Sequence, residues 1–446
     1  MISVAGIRGV VGTSLTPPVL TRFVAAFAHH LGPGEVVVGR DARRSGPMVQ
    51  RAVAAGLTGA GRDVVHLGLA TTPTTEVAVE TLKAAGGVIL TASHNPAEWN
   101  ALKFLSSRGE FLDEAAGRAV RERYESDRDL WASFDRLGGE RDETGALDWH
   151  VRRVLALEEL AGDAIRARRL RVVVDGCSSV GGVAVPRLLR ELGIEVAELD
   201  CEPNGRFTRE LEPLPEHLGP LGAKVRATHA DFGVALDPDA DRAAFVDAEG
   251  VPLGEEYTLA LAAGVTLARR PGPVVTNLST SRIMDAVCAQ YGVALFRTPV
   301  GEAHVVAGMR AHGAVLGGEG NGGVIHPRAH YGRDGLVAAA LISQALAAGG
   351  RTLRELADAL PQLCMIKAKT TRPDAPWDLT ARALRATFPE HAVESSDGMR
   401  LSRGDEWLHV RPSGTEPVVR LIAESPSEAR SQELLAAARR ALRTAS

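Results

Sequence analysis

At 446 residues the chain is too long for one hydrophobic core and reads as about three or four domains. Its 45% hydrophobic and 24% charged residues and formal net charge of −4 describe a soluble globular protein, with nothing to favour nucleic acid or an anionic membrane as main partner. Met1-Ile2-Ser3-Val4 lacks a basic segment followed by a long apolar one, and Leu336 to Ala348 is too short and too polar to span a bilayer, so a cytoplasmic location is expected.

Residues 1–140 read as an α/β domain. Helical spacing runs from Pro17 to Leu31, Glu35 to Gly39 has the apolar run of a buried strand, and Gly46 to Ala60 is helical again. Short strands are expected at Val64 to Leu67 and Val88 to Leu90. The second empties into Thr91-Ala92-Ser93-His94-Asn95-Pro96, which presents one hydroxyl at the carboxyl end of a strand, where open α/β sheets carry their chemistry. Ser93 is the candidate nucleophile, and a turn in which it bonds its own backbone is the plainer alternative. Lys103, in the strand-like Asn100 to Phe104, can return to the same pocket. His94 is a candidate acid or base, or a simple hydrogen-bond partner. Arg8, in Gly6-Ile7-Arg8-Gly9, and the arginines of Gly39-Arg40-Asp41-Ala42-Arg43 either reach a phosphorylated serine or are surface residues. Lysine is scarce, five residues against 46 arginines, and an ammonium can lose a proton where a guanidinium practically cannot.

Residues 141–245 and 246–360 repeat the theme. A helix from Asp148 to Leu160 leads to strand Arg171 to Asp175, the turn Gly176-Cys177-Ser178-Ser179 and a helix through Val185 to Leu192. Val274 to Thr276, the turn Asn277 to Ser281 and the helix Arg282 to Tyr291 follow. Strand, serine-rich turn and helix thus recur with turns near 93, 178 and 279, a domain-sized period that suggests three related α/β domains with mixed sheets. Residues 361–446 differ: Arg400 to Arg403, Trp407 to Val410 and Val418 to Ala423 look like antiparallel strands, and Ser427 caps an amphipathic helix to Leu442, giving a small α+β domain. Cys177, Cys201, Cys288 and Cys364 have no paired metal-ligand spacing and are expected to be thiols.

Three further stretches carry chemistry. Asp237-Pro238-Asp239-Ala240-Asp241-Arg242 follows the apolar strand Phe232 to Leu236 and can converge three carboxylates on one hard cation, or form an acidic solvated turn. It is not a calcium-binding EF-hand loop, which needs Gly where Arg242 stands and Glu where Ala248 stands. Arg411-Pro412-Ser413-Gly414-Thr415-Glu416-Pro417 offers a guanidinium, two hydroxyls and backbone N–H groups, a phosphate cradle or a plain hairpin loop. Gly317-Gly318-Glu319-Gly320-Asn321-Gly322-Gly323 follows an expected strand Ala314 to Leu316 and lacks the Gly-Lys-Ser/Thr of a P-loop. Glu319 and Asn321 suit neighbouring sugar hydroxyls, and a glycine-rich turn is the alternative.

Ser-His-Asn-Pro, Asp-x-Asp-x-Asp-Arg, Gly-Glu-x-Asn-Gly and Arg-x-Ser-Gly-Thr, in that order and one per domain, resemble the α-D-phosphohexomutase superfamily over nearly the whole chain. The resemblance implies four domains around a central cleft and interconversion of hexose 6-phosphate and hexose 1-phosphate, through a phosphoserine and a bisphosphate intermediate. It implies Ser93 as phosphoserine and, with Asp237, Asp239 and Asp241, as a Mg²⁺ ligand. It places Arg8, His94, Lys103 and Arg242 around the transferred phosphate, Glu319 and Asn321 on the sugar, and Arg411, Ser413, Gly414 and Thr415 on the non-reacting phosphate. Hexose 1,6-bisphosphate is the implied activator, a sugar phosphate the implied partner, and a monomer or homodimer is expected. Dual phosphomannomutase/phosphoglucomutases commonly carry Ser and His where this chain has Asn321 and Gly323, and His where Glu302 follows Gly301. Asn-Gly-Gly with Val300-Gly301-Glu302 looks like the phosphoglucosamine mutase branch, which points to glucosamine 6-phosphate and glucosamine 1-phosphate. A phosphomannomutase/phosphoglucomutase is the alternative within the family, and a phosphatase forming the same phosphoserine the alternative outside it.

Overall fold

The computed structural model describes residues 2–3, 6–126, 129–372, 375–413 and 418–444. Three sheets share one arrangement. In the first, Trp99–Leu105, Gly86–Leu90, Val36–Arg40 and Val64–Leu69 lie side by side in that order. In the second the same places are taken by Ala243–Val246, Phe232–Leu236, Arg171–Asp175 and Glu195–Leu199, and in the third by Gly323–Ile325, Leu316–Glu319, Val274–Asn277 and Leu295–Thr298. In each, the last three strands are parallel and the first joins by an antiparallel hairpin. The parallel strands are runs such as Val36-Val37-Val38 and Val172-Val173-Val174, buried on both faces as a helix-covered sheet requires. The first sheet extends at one edge through Gly6–Val10 and Ile2–Ser3 and at the other through Glu140–Asp142.

This arrangement corrects the expected repeat. The Ser93 turn leads into the antiparallel strand Trp99–Leu105, with no helix, so it corresponds to the turns at 237–242 and 320–322. The serine-rich turns before Gly181–Glu191 and Ile283–Gln290 correspond to Asp41–Ser45, before the helix Gly46–Gly59. Two other expectations shift. The helix placed at 148–160 is Ala146–Leu155, ending where Glu159 turns inward to His326 and the Ala161 N–H reaches Gln344 Oε1. The strand placed at 314–316 is Leu316–Glu319, so Gly317 and Gly318 of the rich stretch are strand residues, and Gly323 begins the next strand.

Helix Gly335–Gly349 is buried along most of its length, which explains its alanines, and its core is continuous between the second and third sheets. The C-terminal sheet is antiparallel throughout, in the order Cys364–Thr371, Val418–Ser425, Glu406–Pro412, Met399–Arg403, Ala392–Glu394. Trp377–Thr387 and Glu428–Thr444 share its core. Ser427 Oγ accepts the Arg430 N–H (3.3 Å), the cap expected from the sequence. Among the described residues no helix is long and apolar enough to cross a membrane, and the four cysteines are free thiols.

Candidate active site

The three hairpin turns converge, at the carboxyl ends of Gly86–Leu90, Phe232–Leu236 and Leu316–Glu319. Ser93 sits in the left-handed region (φ 49°), a conformation that costs a non-glycine residue energy and here has visible support. Thr91 Oγ1 accepts the Ser93 N–H (2.9 Å) and donates to Asp41 Oδ2 (2.6 Å). The buried Arg43 guanidinium donates to the carbonyls of Ser93, Asn95 (2.6 Å), Pro96 (2.7 Å) and Trp99 (3.1 Å), and Asp41 holds it at 3.1 Å. Arg43 therefore braces the turn from behind. Arg8 contacts Asn95 Oδ1 at 3.2 Å. So supported, Ser93 Oγ donates to Asp237 Oδ2 (2.8 Å), with His94 Nδ1 3.4 Å away.

The acidic turn is buried and held on all sides. Its backbone oxygens accept from the Thr72 N–H at Asp239 (2.9 Å), Ser179 Oγ at Pro238 (2.6 Å) and the Gly335 N–H at Ala240 (3.0 Å). Asp239 Oδ2 accepts from Lys103 Nζ and Thr72 Oγ1, both at 2.7 Å, and Asp241 Oδ2 from Arg333 Nη2 at 2.5 Å. The second oxygens, Asp239 Oδ1 and Asp241 Oδ1, are buried with no hydrogen-bond donor. A buried carboxylate oxygen without a partner is costly, and one oxygen from each of Asp237, Asp239 and Asp241 lies within 4.8 Å of the others. An all-oxygen donor set of this kind fits a hard divalent cation.

Electrostatics divide these groups. Burial, with Asp241 and Asp239 beside it, pushes the Asp237 carboxyl well above the usual range. Burial also opposes ionisation of Asp239, but Lys103, Asp237 and Thr72 outweigh it and hold that carboxyl low. Lys103 is correspondingly kept as an ammonium by Asp239 and Asp241 against the effect of burial. Burial and the cations Arg242 and Arg8 push His94 down to about 3, leaving a neutral imidazole.

In the third hairpin Glu319 is held from three sides: Asn277 Nδ2 (2.7 Å) and the Gly301 N–H (3.1 Å) on Oε1, and Arg333 Nη1 (2.8 Å) on Oε2. Gly301 has φ 130°, open to glycine and strained for other residues, at the start of helix Glu302–His312. Glu302 accepts from Arg333 Nε (2.9 Å), so it is paired within the protein. Asn321 Oδ1 is buried without a donor. Arg242 donates to Glu212 Oε1 at 2.9 Å. From the C-terminal domain, Arg411 Nε pairs with Asp397 (3.1 Å), whose Oδ2 accepts the Val300 N–H (2.9 Å) beside Gly301. The Ser413 N–H bonds the Val418 carbonyl (2.9 Å), and Gly414 and Thr415 lie outside the described residues.

The structure thus brings Ser93, His94, Lys103, Arg8, the three aspartates and Arg242 together, with Gly301, Glu302 and Glu319 joined to them through Arg333. Sequence reasoning missed Arg333 and Asp397, as well as the bracing residues Thr72, Ser179 and Thr280, whose Oγ1 accepts the Gly320 N–H (3.1 Å). The serine-rich turns were a signal for the last two, since they lie beside the hairpin turns they support.

Matches to known proteins agree with this geometry. Residues 2–130, 150–250 and 254–364 match the phosphoglucomutase/phosphomannomutase alpha/beta/alpha domains I, II and III, and residues 365–441 match the C-terminal domain. A probable phosphoglucosamine mutase of Methanopyrus kandleri is 39% identical, over 96% of this chain and 95% of that protein. A phosphoglucomutase/phosphomannomutase of Thermococcus kodakarensis is 35% identical over 96% and 95%. The crystal structure of a phosphoglucomutase/phosphomannomutase family protein from Burkholderia thailandensis superposes with a TM-score of 0.86 at 30% identity, over 100% of this chain and 98% of that one. The chain belongs to the phosphoglucomutase/phosphomannomutase family, whose members are mutase isomerases, and it is a phosphohexomutase acting on a sugar phosphate.

Proposed function

We propose that Ser93 carries a phosphoryl group and exchanges it with a hexose phosphate, converting glucosamine 6-phosphate to glucosamine 1-phosphate. The observation that carries this reading is Ser93 Oγ at 2.8 Å from Asp237 Oδ2, beside two carboxylate oxygens that lack donors. Asp237, Asp239 and Asp241, with the Ser93 phosphoryl group, are the groups that would hold Mg²⁺. When bound, that cation would draw charge from the phosphoryl oxygens. In the transfer the bond between Ser93 Oγ and phosphorus breaks as a sugar hydroxyl oxygen bonds the phosphorus, and the hydroxyl proton ends on Ser93 Oγ. His94, neutral and 3.4 Å from that oxygen, is placed to pass it. Lys103, Arg8 and Arg242 supply positive charge around the moving group. The bisphosphate then turns over and returns its other phosphate to Ser93. Glu319 and Asn321 read the sugar, while Arg411, Ser413, Gly414 and Thr415 hold the phosphate that is not moving. The working units are taken as 1–140, 141–245, 246–360 and 361–446, in the cytoplasm, with hexose 1,6-bisphosphate as activator.

Glucosamine is favoured by the likeness of Asn321-Gly322-Gly323 and Val300-Gly301-Glu302 to the phosphoglucosamine mutase branch and by the name of the Methanopyrus relative. The Thermococcus relative's name keeps a phosphomannomutase/phosphoglucomutase as the second reading. A panel of 6-phosphosugars assayed for 1-phosphate formation, with Mg²⁺ and catalytic hexose 1,6-bisphosphate, decides. Glucosamine 6-phosphate should give the highest kcat/KM. A higher value for mannose or glucose phosphate would select the second reading, and release of inorganic phosphate in its place would mean a phosphatase.

A further inference from the structure

Arg333 is a buried residue between the acidic turn and the sugar-reading turn, and no motif includes it. Its three guanidinium nitrogens go to three different carboxylates: Nη2 to Asp241 Oδ2 (2.5 Å), Nε to Glu302 Oε2 (2.9 Å) and Nη1 to Glu319 Oε2 (2.8 Å). These acids come from the second hairpin turn, the start of helix Glu302–His312 and the third hairpin strand. Two backbone bonds tie the same parts: the Ala243 N–H to the Gly322 carbonyl and the Gly335 N–H to the Ala240 carbonyl, both at 3.0 Å. The local sequence is shaped around the arginine. A Cβ at Gly323 would overlap the Arg333 side-chain methylenes, so a side chain at position 323 and the Arg333 stem compete for one space. Glu302 meets Arg333 with both oxygens, Oε2 accepting from the guanidinium and Oε1 from the Arg333 backbone N–H at 3.3 Å.

We propose that Arg333 is a positioning residue that couples the cation site to the sugar site. By holding Asp241 Oδ2 it leaves Oδ1 without a hydrogen-bond donor, as Lys103 does for Asp239 Oδ1. By holding Glu302 and Glu319 it fixes the carboxylate that meets the sugar in register with the turn that meets the cation. Gly323, Glu302 and Arg333 then act as one unit. Lysine cannot replace the fork, because a single ammonium does not span three carboxylates in fixed directions.

This inference rests on the assignment of the aspartates as cation ligands, but not on which hexose is the substrate. Its test uses the full-length protein and equilibrium binding, without turnover. Mn²⁺ affinity and affinity for glucose 1,6-bisphosphate are measured by calorimetry for the wild type, Arg333→Met, Arg333→Lys and Glu302→Gln. In Arg333→Met both affinities should fall about tenfold or more, and in Arg333→Lys both should fall by less. Glu302→Gln should weaken bisphosphate binding and leave Mn²⁺ affinity within about twofold. A folded Arg333 variant that binds Mn²⁺ as the wild type does, or loses only one of the two affinities, overturns the coupling. If Arg333→Met does not fold, Arg333→Lys keeps the charge and decides alone. Wild-type protein that binds no Mn²⁺ would defeat the cation-site assignment itself, an outcome distinct from failure of the coupling.

Discussion

Two buried clusters in this protein are built from residues that bind metals, and they behave differently. Asp237, Asp239 and Asp241 form one; His150, His330 and Asp334 form the other, at the junction of the first three domains. In the second cluster every ring nitrogen lies within 3.1 Å of a protein oxygen. His150 Nδ1 meets Thr74 Oγ1 (2.9 Å), and His150 Nε2 and His330 Nε2 meet Asp334 Oδ2 at 2.7 and 3.1 Å. Asp334 Oδ1 caps helix Gly335–Gly349 by accepting the Leu336 N–H (2.8 Å), and His330 Nδ1 lies 3.1 Å from Glu76 Oε2. In the first cluster two oxygens have no donor, and a serine hydroxyl stands against a third carboxylate. Residue type alone does not separate the two clusters; how closely each ligand atom is matched by a protein partner does.

The comparison can be broken by substitution at either cluster. Asp237→Asn should have the largest effect. It removes a proposed cation ligand and the acceptor of the Ser93 hydroxyl, so kcat should fall roughly a hundredfold or more. The protein should nonetheless remain folded and melt no lower than wild type in the absence of divalent cations, because burial and two neighbouring carboxylates already oppose this charge. The upward Tm shift with Mg²⁺ should disappear. A variant with wild-type activity would make the turn a structural one.

Arg411→Ala should come next, raising the KM for sugar phosphate and for the activating bisphosphate by about one to two decades, as loss of a charge-assisted phosphate contact does. More turnovers should end in free bisphosphate, which product analysis would detect. Unchanged KM would place Arg411 in a role confined to its Asp397 pair.

His330→Gln sharpens the contrast from the other side. Removing one member of a buried ion pair costs about 3–5 kcal/mol of stability, while kcat and the Mg²⁺ response of the folded fraction should stay as in wild type. Burial works against the His330 charge, yet Asp334 and Glu76 raise its pKa to about 10. A raised histidine pKa stabilises fully below its unfolded value of about 6.5, and that stability is lost as pH rises toward 10. Glu76, raised to about 8 chiefly by burial, acts in the same direction. Wild-type Tm should therefore fall between pH 7 and 10, and the variant's curve should be flatter. Parallel curves would mean that the charge is not held there.

The legible parts of the molecule were those whose cause is local. Valine runs marked the parallel strands, and the Asp-x-Asp-x-Asp turn declared its carboxylates because neighbours in sequence are neighbours in space. The Ser93 turn was seen, but its place in the repeat was misread: nothing in Thr91 to Pro96 says whether helix or hairpin follows, and that is decided by pairing of Trp99–Leu105 with Gly86–Leu90 on one side and Gly6–Val10 on the other. Arg333 was hidden among 46 arginines, and Arg43, expected at a phosphorylated serine or on the surface, is instead the buried brace of the Ser93 turn, because what distinguishes both is convergence of acceptors that are distant in sequence. For Arg333 these come from positions 241, 302 and 319. Glu302 stood out through its motif, but its pairing with Arg333, 31 residues on, is a contact that the motif does not reveal.

The central claim is that Ser93 carries the phosphoryl group beside the aspartate turn. Intact-protein and peptide mass spectrometry after incubation with hexose 1,6-bisphosphate and Mg²⁺ tests it most directly. The expected result is one added phosphoryl group, on the peptide containing Ser93, absent in Ser93→Ala and removed when excess sugar monophosphate is supplied. An unmodified Ser93 in protein that still turns over substrate would contradict it.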